Sequence, residues 1–243
     1  MSVPCRLNLP AIERSLREVQ RHFDALNAGF LEKRDPFDDA VLENVLAGYA
    51  LIDDYVVRGV DLFSLQHLAL MLEINTTVLC GTDPAQRAEY AEHIAASERR
   101  FFDSEEGGIK DLFKWYDLHR NESPWKRAAG VYVRILSKPQ LFIEGNHRSG
   151  SLIASYLLMR EGLPPFVLTV DNATAFFNPS TVIRNFPKHG MKALFQLPKI
   201  KKKYAAFLEE DAKRTQRAHL CERHWAADAA TSGTATGVAG SVR

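Results

Sequence analysis

Apolar residues at Ile12, Leu16, Val19, Phe23, Leu26 and Phe30 step by four and three in turn, the spacing that lines one face of a helix. Asp35-Pro36 interrupts this pattern, and Val41, Leu42, Val45, Leu46 and Tyr49 set up a second helix. Leu65, Leu68, Ala69 and Leu72 predict a third. Asp83-Pro84 then reads as an N-cap followed by proline at the first helical position, with Gln86 placed to complete a capping box. The helix so started carries Ala91, Ile94, Ala95 and Phe101 and stops at Gly107-Gly108. Residues 109–121 show no clean helical period, and their aromatic and apolar content predicts a short β-hairpin or loop.

Ser123-Pro124 restarts a helix that carries Ala128, Val131, Tyr132 and Ile135. Residues 137–146 connect it to a helix from about His147 to Glu161, where Leu152, Ile153, Ala154, Tyr156, Leu157, Leu158 and Met159 leave hardly a polar face. A helix that is apolar nearly all round sits at the centre of a domain. Gly162 and Pro164-Pro165 stand where such a helix ends. Residues 166–170 predict a short extended segment, and 204–225 a further helix. The small residues of 226–243 offer no core material and predict a disordered tail. The fold class is therefore mainly α, built around one buried helix. Helices of residues 1–61 pack on a domain spanning 62–225.

Composition adds few constraints. The 243 residues are 46% hydrophobic and 25% charged, ordinary globular values, and 31 Lys+Arg against 30 Asp+Glu leave a net charge of +1. A nearly neutral chain makes no general case for nucleic acid or an anionic membrane as partner. Cys5, Cys80 and Cys221 are odd in number and lack CxxC spacing, so neither a disulfide framework nor a structural zinc site is expected. No apolar run is long enough to span a membrane, and the N-terminus lacks a basic region followed by an apolar one. A cytoplasmic location follows, with secretion by a non-classical signal left open.

The candidate chemistry lies at Glu144-Gly145-Asn146-His147-Arg148. At the start of a helix the first backbone N–H groups have no intrahelical partner, and the helix dipole is positive there, so an anion is favoured. Gly145 allows close approach, Asn146 would cap the helix or donate to a phosphate oxygen, and Arg148 supplies a forked charge. Glu144 beside an anion site makes electrostatic sense with Mg²⁺ between them. By itself Gly-Asn before a helix is commonly just a turn and cap. No G-x-x-x-x-G-K-[ST], G-x-G-x-x-G, H-E-x-x-H or G-x-S-x-G motif occurs, and His67 and His93 have no second ligand at metal spacing.

The segment 125–166 resembles the signature region of the Fic/Doc (Fido) family, whose pattern is H-x-F-x-[DE]-G-N-G-R-x-x-R followed by an apolar helix. Phe142, Glu144, Gly145, Asn146 and Arg148 match in register, and Arg160-Glu161-Gly162-Leu163-Pro164-Pro165 ends the helix at the family's spacing. Ala128-Ala129 and residues 72–81 also look like the family's helices, and the resemblance spans roughly 62–215. It implies a Fido-type helical core with a β-hairpin flap at 109–121 that docks a protein target. It also implies nucleotide phosphates, usually of ATP with Mg²⁺ at Glu144, held by Gly145, Asn146, His147, Arg148 and the residue at 151. A histidine of the family deprotonates a target hydroxyl, which becomes AMPylated; relatives transfer phosphate or phosphocholine.

Three positions depart from the pattern: Gln140 stands for the catalytic histidine, His147 for the second glycine and Ser151 for the final arginine. Glutamine cannot serve as a general base. His147 is the candidate substitute base, against the plainer reading that its side chain narrows the site. His119 within 109–121 reads as a surface residue, Trp115 and Tyr116 as either flap or packing aromatics, and Lys201-Lys202-Lys203 as a solvated helix start. The family's restraining [ST]-x-x-x-E-[GN] helix has no match. The leading expectation is a degenerate site that binds a nucleotide and works through protein contacts. The alternatives are an active adenylyltransferase or related transferase with a non-standard base, and a non-catalytic interaction scaffold.

Overall fold

The computed structural model describes residues 6–103, 107–215 and 218–220, and among them the protein is mainly helical. Helix α1 (Leu9–Ala28) begins where the Asn8 side chain accepts the Ala11 N–H at 3.2 Å, and buries Ile12, Leu16, Val19 and Phe23 at the spacing the sequence predicts. Helix α2 (Asp39–Val57) is capped by Asp38, which accepts from Val41 N–H at 2.8 Å. A short 3₁₀ turn at Leu65–His67 leads into α3 (Leu68–Cys80). The helix predicted from Asp83-Pro84 is two helices, α4 (Pro84–Glu89) and α5 (Ala91–Phe101), broken at Tyr90.

Residues 109–121 are not a hairpin. Ile109–Leu118 forms helix α6. Ile109, Leu112, Phe113 and Tyr116 stand at i, i+3, i+4 and i+7 on one face, a period obscured by the aromatic density of the segment. Phe63 fixes that face: its ring stacks on Tyr116 at 3.8 Å and on Phe113 at 5.6 Å. The strand pairing that a flap offers a target is thus not presented by this segment. His119 closes the helix, its Nδ1 2.7 Å from the Trp115 carbonyl.

Helix α7 (Pro124–Leu136) starts at Ser123-Pro124 as the sequence predicts. Helix α8 (Asn146–Arg160) buries eleven of its fifteen residues, lies against α7, α2 and α3, and stops before Gly162. The segment 166–170 is irregular and belongs to no strand. Among the described residues β pairing is limited to the isolated bridges Leu7–Leu220 and Lys138–Pro187. Helix α9 (Ala173–Arg184) has no counterpart in the sequence reading, and α10 (Met191–Thr215) begins well before the residue 204 expected. The predicted tail lies outside the described residues. Residues of α1 and α2 join α7, α8, α9 and α10 in one buried hydrophobic cluster.

Lys201 falls in the middle of α10, where its Nζ donates to both carboxylate oxygens of Glu122 at 2.7 Å and sits 5.4 Å over the Trp115 ring. Lys202 and Lys203 are the solvated members of that triplet. No described helix is long and apolar enough to cross a membrane.

Trp115 is wedged onto α7 at Gly130, where an added Cβ would lie 1.9 Å from Cη2 of the indole. The ring has little room to retreat, because His119 stacks on it at 4.2 Å and Lys201 covers it. Gly130→Ala gains about 0.5–1 kcal/mol of helix propensity but incurs about 1–3 kcal/mol of overpacking. We expect net destabilisation in urea unfolding with altered tryptophan fluorescence, and the sign should reverse in a Trp115→Ala background. Destabilisation of equal size in both backgrounds would refute the wedge.

Candidate functional site

Gly145 ends the incoming loop in the left-handed region, φ +71°, and a side chain there would approach Asn75 Nδ2 to 2.9 Å. Both facts require glycine. Asn75, buried on α3, donates from Nδ2 to the Glu144 carbonyl at 2.9 Å and to Ser149 Oγ at 3.0 Å, and so ties the loop to the first turn of α8.

Asn146 does not cap the helix. Its Oδ1 accepts from the Phe142 N–H at 2.9 Å and its Nδ2 donates to the Phe142 carbonyl at 2.8 Å, a two-bond clasp that closes residues 142–146. Phe142 is anchored in turn by stacking on Phe101 at 5.6 Å. The first helical bond runs from Ser149 N–H to the Gly145 carbonyl, so the N–H groups of Asn146, His147 and Arg148 have no intrahelical partner. No side chain caps that end.

A cavity of about 340 Å³ opens there. All seven residues singled out in the sequence (Gln140, Glu144, Gly145, Asn146, His147, Arg148 and Ser151) line it. Arg148 donates from Nη1 to the Val78 carbonyl at 2.7 Å, and its Nη2 lies 3.6 Å from Glu144 Oε1. The largely exposed Glu144 carboxylate also stands 3.8 Å from His93 Nε2. Gln140 donates to the Leu136 carbonyl at 3.2 Å at the end of α7, and the Ser151 hydroxyl bonds back to the Arg148 carbonyl at 2.9 Å. No group of three or more His, Cys, Asp or Glu side chains suited to a metal ion occurs among the described residues. The apolar part of the cavity is walled by α1, α2 and α9 through residues such as Phe23, Val45 and Phe176, so a charged rim adjoins an apolar wall.

Two cations of this cavity were missed in the sequence: Arg34, in the connection between α1 and α2, and Arg184, the last residue of α9. No motif marks them, and only the folding of residues 29–38 over α9 brings them in. Leu31 N–H donates to Asn178 Oδ1 at 2.9 Å, and Arg34 reaches the Phe177 carbonyl and Thr181.

His147 is turned inward. Arg34 has only donors to offer, so His147 Nε2, 3.4 Å from Arg34 Nη1, is the acceptor. Nδ1 then carries the proton and donates to the Tyr132 hydroxyl at 3.2 Å. Ser180 donates to the Phe176 carbonyl at 2.6 Å, which leaves Tyr132 as donor to Ser180 Oγ, also at 2.6 Å. The resulting chain is Arg34, His147, Tyr132, Ser180, Phe176. Burial, and then the guanidiniums of Arg34, Arg184 and Arg148, push the imidazole down to about 3.

The chain matches no family model, no curated protein and no solved structure.

A folded-state value below the ordinary 6.5 means that unfolded chain takes up the proton first as the pH drops. The contribution of His147 to stability is therefore full above pH 6.5 and is lost as the pH falls toward 3. We expect about 1–2 kcal/mol of loss from this group between about pH 7 and pH 5, absent from His147→Gln in urea titrations. An imidazole NMR signal titrating near 6.5 would contradict the buried placement.

Proposed function

We propose that the protein binds a phosphate-bearing ligand, in the first instance a nucleotide, in the cavity at the start of α8, on a Fic/Doc-like framework that lacks the family's general base. One observation carries the reading: the uncapped N-terminus of α8, the Arg148 guanidinium and the Glu144 carboxylate line a single cavity. Helix N–H groups and a forked cation favour a phosphate there. The clasp of Asn146 on Phe142 leaves the backbone N–H groups as the donors of the site and gives Asn146 a positioning role.

Glu144 is the residue that would hold Mg²⁺. A single carboxylate suits an ion that takes its remaining ligands from phosphate oxygens and water, and such an ion would offset phosphate charge. Gln140 offers an amide where a base would stand, and it already hydrogen-bonds the end of α7. His147 is a poor substitute, because both ring nitrogens are engaged and its basicity is depressed. These points favour binding without classical hydroxyl transfer over the alternative of an active transferase.

Calorimetric titration with ATP, with and without Mg²⁺, tests the reading. Arg148→Ala should weaken binding by about 1.5–3 kcal/mol, the scale of a charge-assisted hydrogen bond, and Glu144→Gln should reduce the Mg²⁺ dependence. Affinity unchanged in Arg148→Ala would put the ligand elsewhere. Incubated with labelled ATP, the purified protein should label itself and added proteins only at background level, since loss of a general base typically removes about 10²–10⁴ in rate. Robust transfer that is abolished by His147→Ala would instead make His147 the base.

A further inference from the structure

The loop at 144–148 supplies one charged wall of the cavity, and Arg34 with Arg184 supplies another from outside the motif. Arg34 is held firmly: Nη2 donates to Thr181 Oγ1 at 2.6 Å and to the Phe177 carbonyl at 3.2 Å, and the guanidinium lies 5.3 Å over the Phe177 ring. None of these partners is anionic. Arg184 is paired with Glu32 and Arg148 with Glu144, whereas Arg34 has no carboxylate within ion-pair distance among the described residues. Its Nε is buried with no hydrogen-bond partner. A half-buried cation beside Arg184, with the Glu32 and Asp35 carboxylates near enough to act on it but not to pair with it and with one donor unsatisfied, gains from an anion that contacts it directly. Position 151 does not supply the missing chemistry, because the Ser151 hydroxyl is neutral and bonded back to its own helix.

We infer that Arg34, reinforced by Arg184, forms a second anion subsite in this cavity, which takes a further phosphate group of the ligand whose first phosphate lies at the start of α8. The ligand is then a di- or triphosphate rather than a monophosphate. This rests on the proposed binding at 144–148 and makes the α1–α2 connection part of the site. The charge absent at residue 151 enters instead from the α1–α2 connection and the end of α9.

Calorimetry with two simple probes, inorganic pyrophosphate and orthophosphate, separates the subsites. Arg34→Gln keeps donors for Phe177 and Thr181 but removes the charge. It should weaken pyrophosphate and ATP about 10- to 100-fold and change orthophosphate less than about twofold, while Arg148→Ala weakens both probes. Glu32→Gln, which releases Arg184 from its ion pair, should tighten pyrophosphate. Pyrophosphate affinity unchanged in Arg34→Gln but lowered in Arg148→Ala would sink the second subsite and leave the loop reading standing. No binding of any probe to the unaltered protein would overturn both.

The imidazole of His147 gives a readout independent of any variant. It is faced by Arg34 from the α1–α2 connection, Arg148 from α8, Arg184 from α9 and Tyr132 from α7. Pyrophosphate bound among the three guanidiniums offsets their charge, so the NMR titration of His147 should move upward on saturation. No movement in the saturated protein would count against the subsite.

Discussion

A helix buried on nearly every face must have its ends satisfied within the protein or at a cavity, and α8 is such a helix. Its first three N–H groups have no helical acceptor and no capping side chain. The helix packs against α2, α3 and α7, and the three residues that carry those groups line the cavity. The loop before the helix is then constrained to reach it from the side. Gly145 at positive φ, the Asn75 bonds and the Asn146 clasp on Phe142 are the means by which it does so. The clasp and the Asn75–Ser149 bond lie between buried groups, where an unmade bond costs about 1–3 kcal/mol. The geometry of the loop is therefore fixed before any ligand arrives.

That preorganisation accounts for the division of labour among the motif residues. Asn146 and Phe142 hold shape, and Gly145 permits it. Arg148 and Glu144 carry charge, and even Arg148 braces the end of α3 through Val78. The imidazole at position 147 fills the space beside the helix start, donates to Tyr132 and accepts from Arg34. Desolvation, reinforced by three surrounding guanidiniums, keeps it neutral, so it relays hydrogen bonds between the α1–α2 connection and the α7–α9 interface without carrying charge of its own.

The same crowding of cations gives the cavity its electrostatic character. The chain as a whole is nearly neutral, yet Arg34, Arg148 and Arg184 line one cavity with only Asp35 and Glu144 as acidic neighbours in its wall. A local excess of positive charge in a partly buried pocket attracts anions far more strongly than the same charges would on an open surface.

By itself the sequence determined the helical class, the central place of α8, the starts of α4 and α7, and the glycine-bearing loop that enters α8. These are local facts: a 3.6-residue period, a cap followed by proline, and a helix with no polar face. It went astray at α6, where the aromatic residues needed for stacking on Phe63 looked like hairpin material, and at α9 and α10, whose starts carry no strong cap. Only the tertiary structure decided that Asn146 is a clasp, that His147 is turned inward and neutral, and that Arg34 and Arg184 belong to the cavity. Arg34 meets His147 across 113 positions of chain, and no periodicity or spacing encodes a contact of that range. It arises because the connection 29–38 must lie on α9 once α1 and α2 have packed on the core, and that is a consequence of the whole fold.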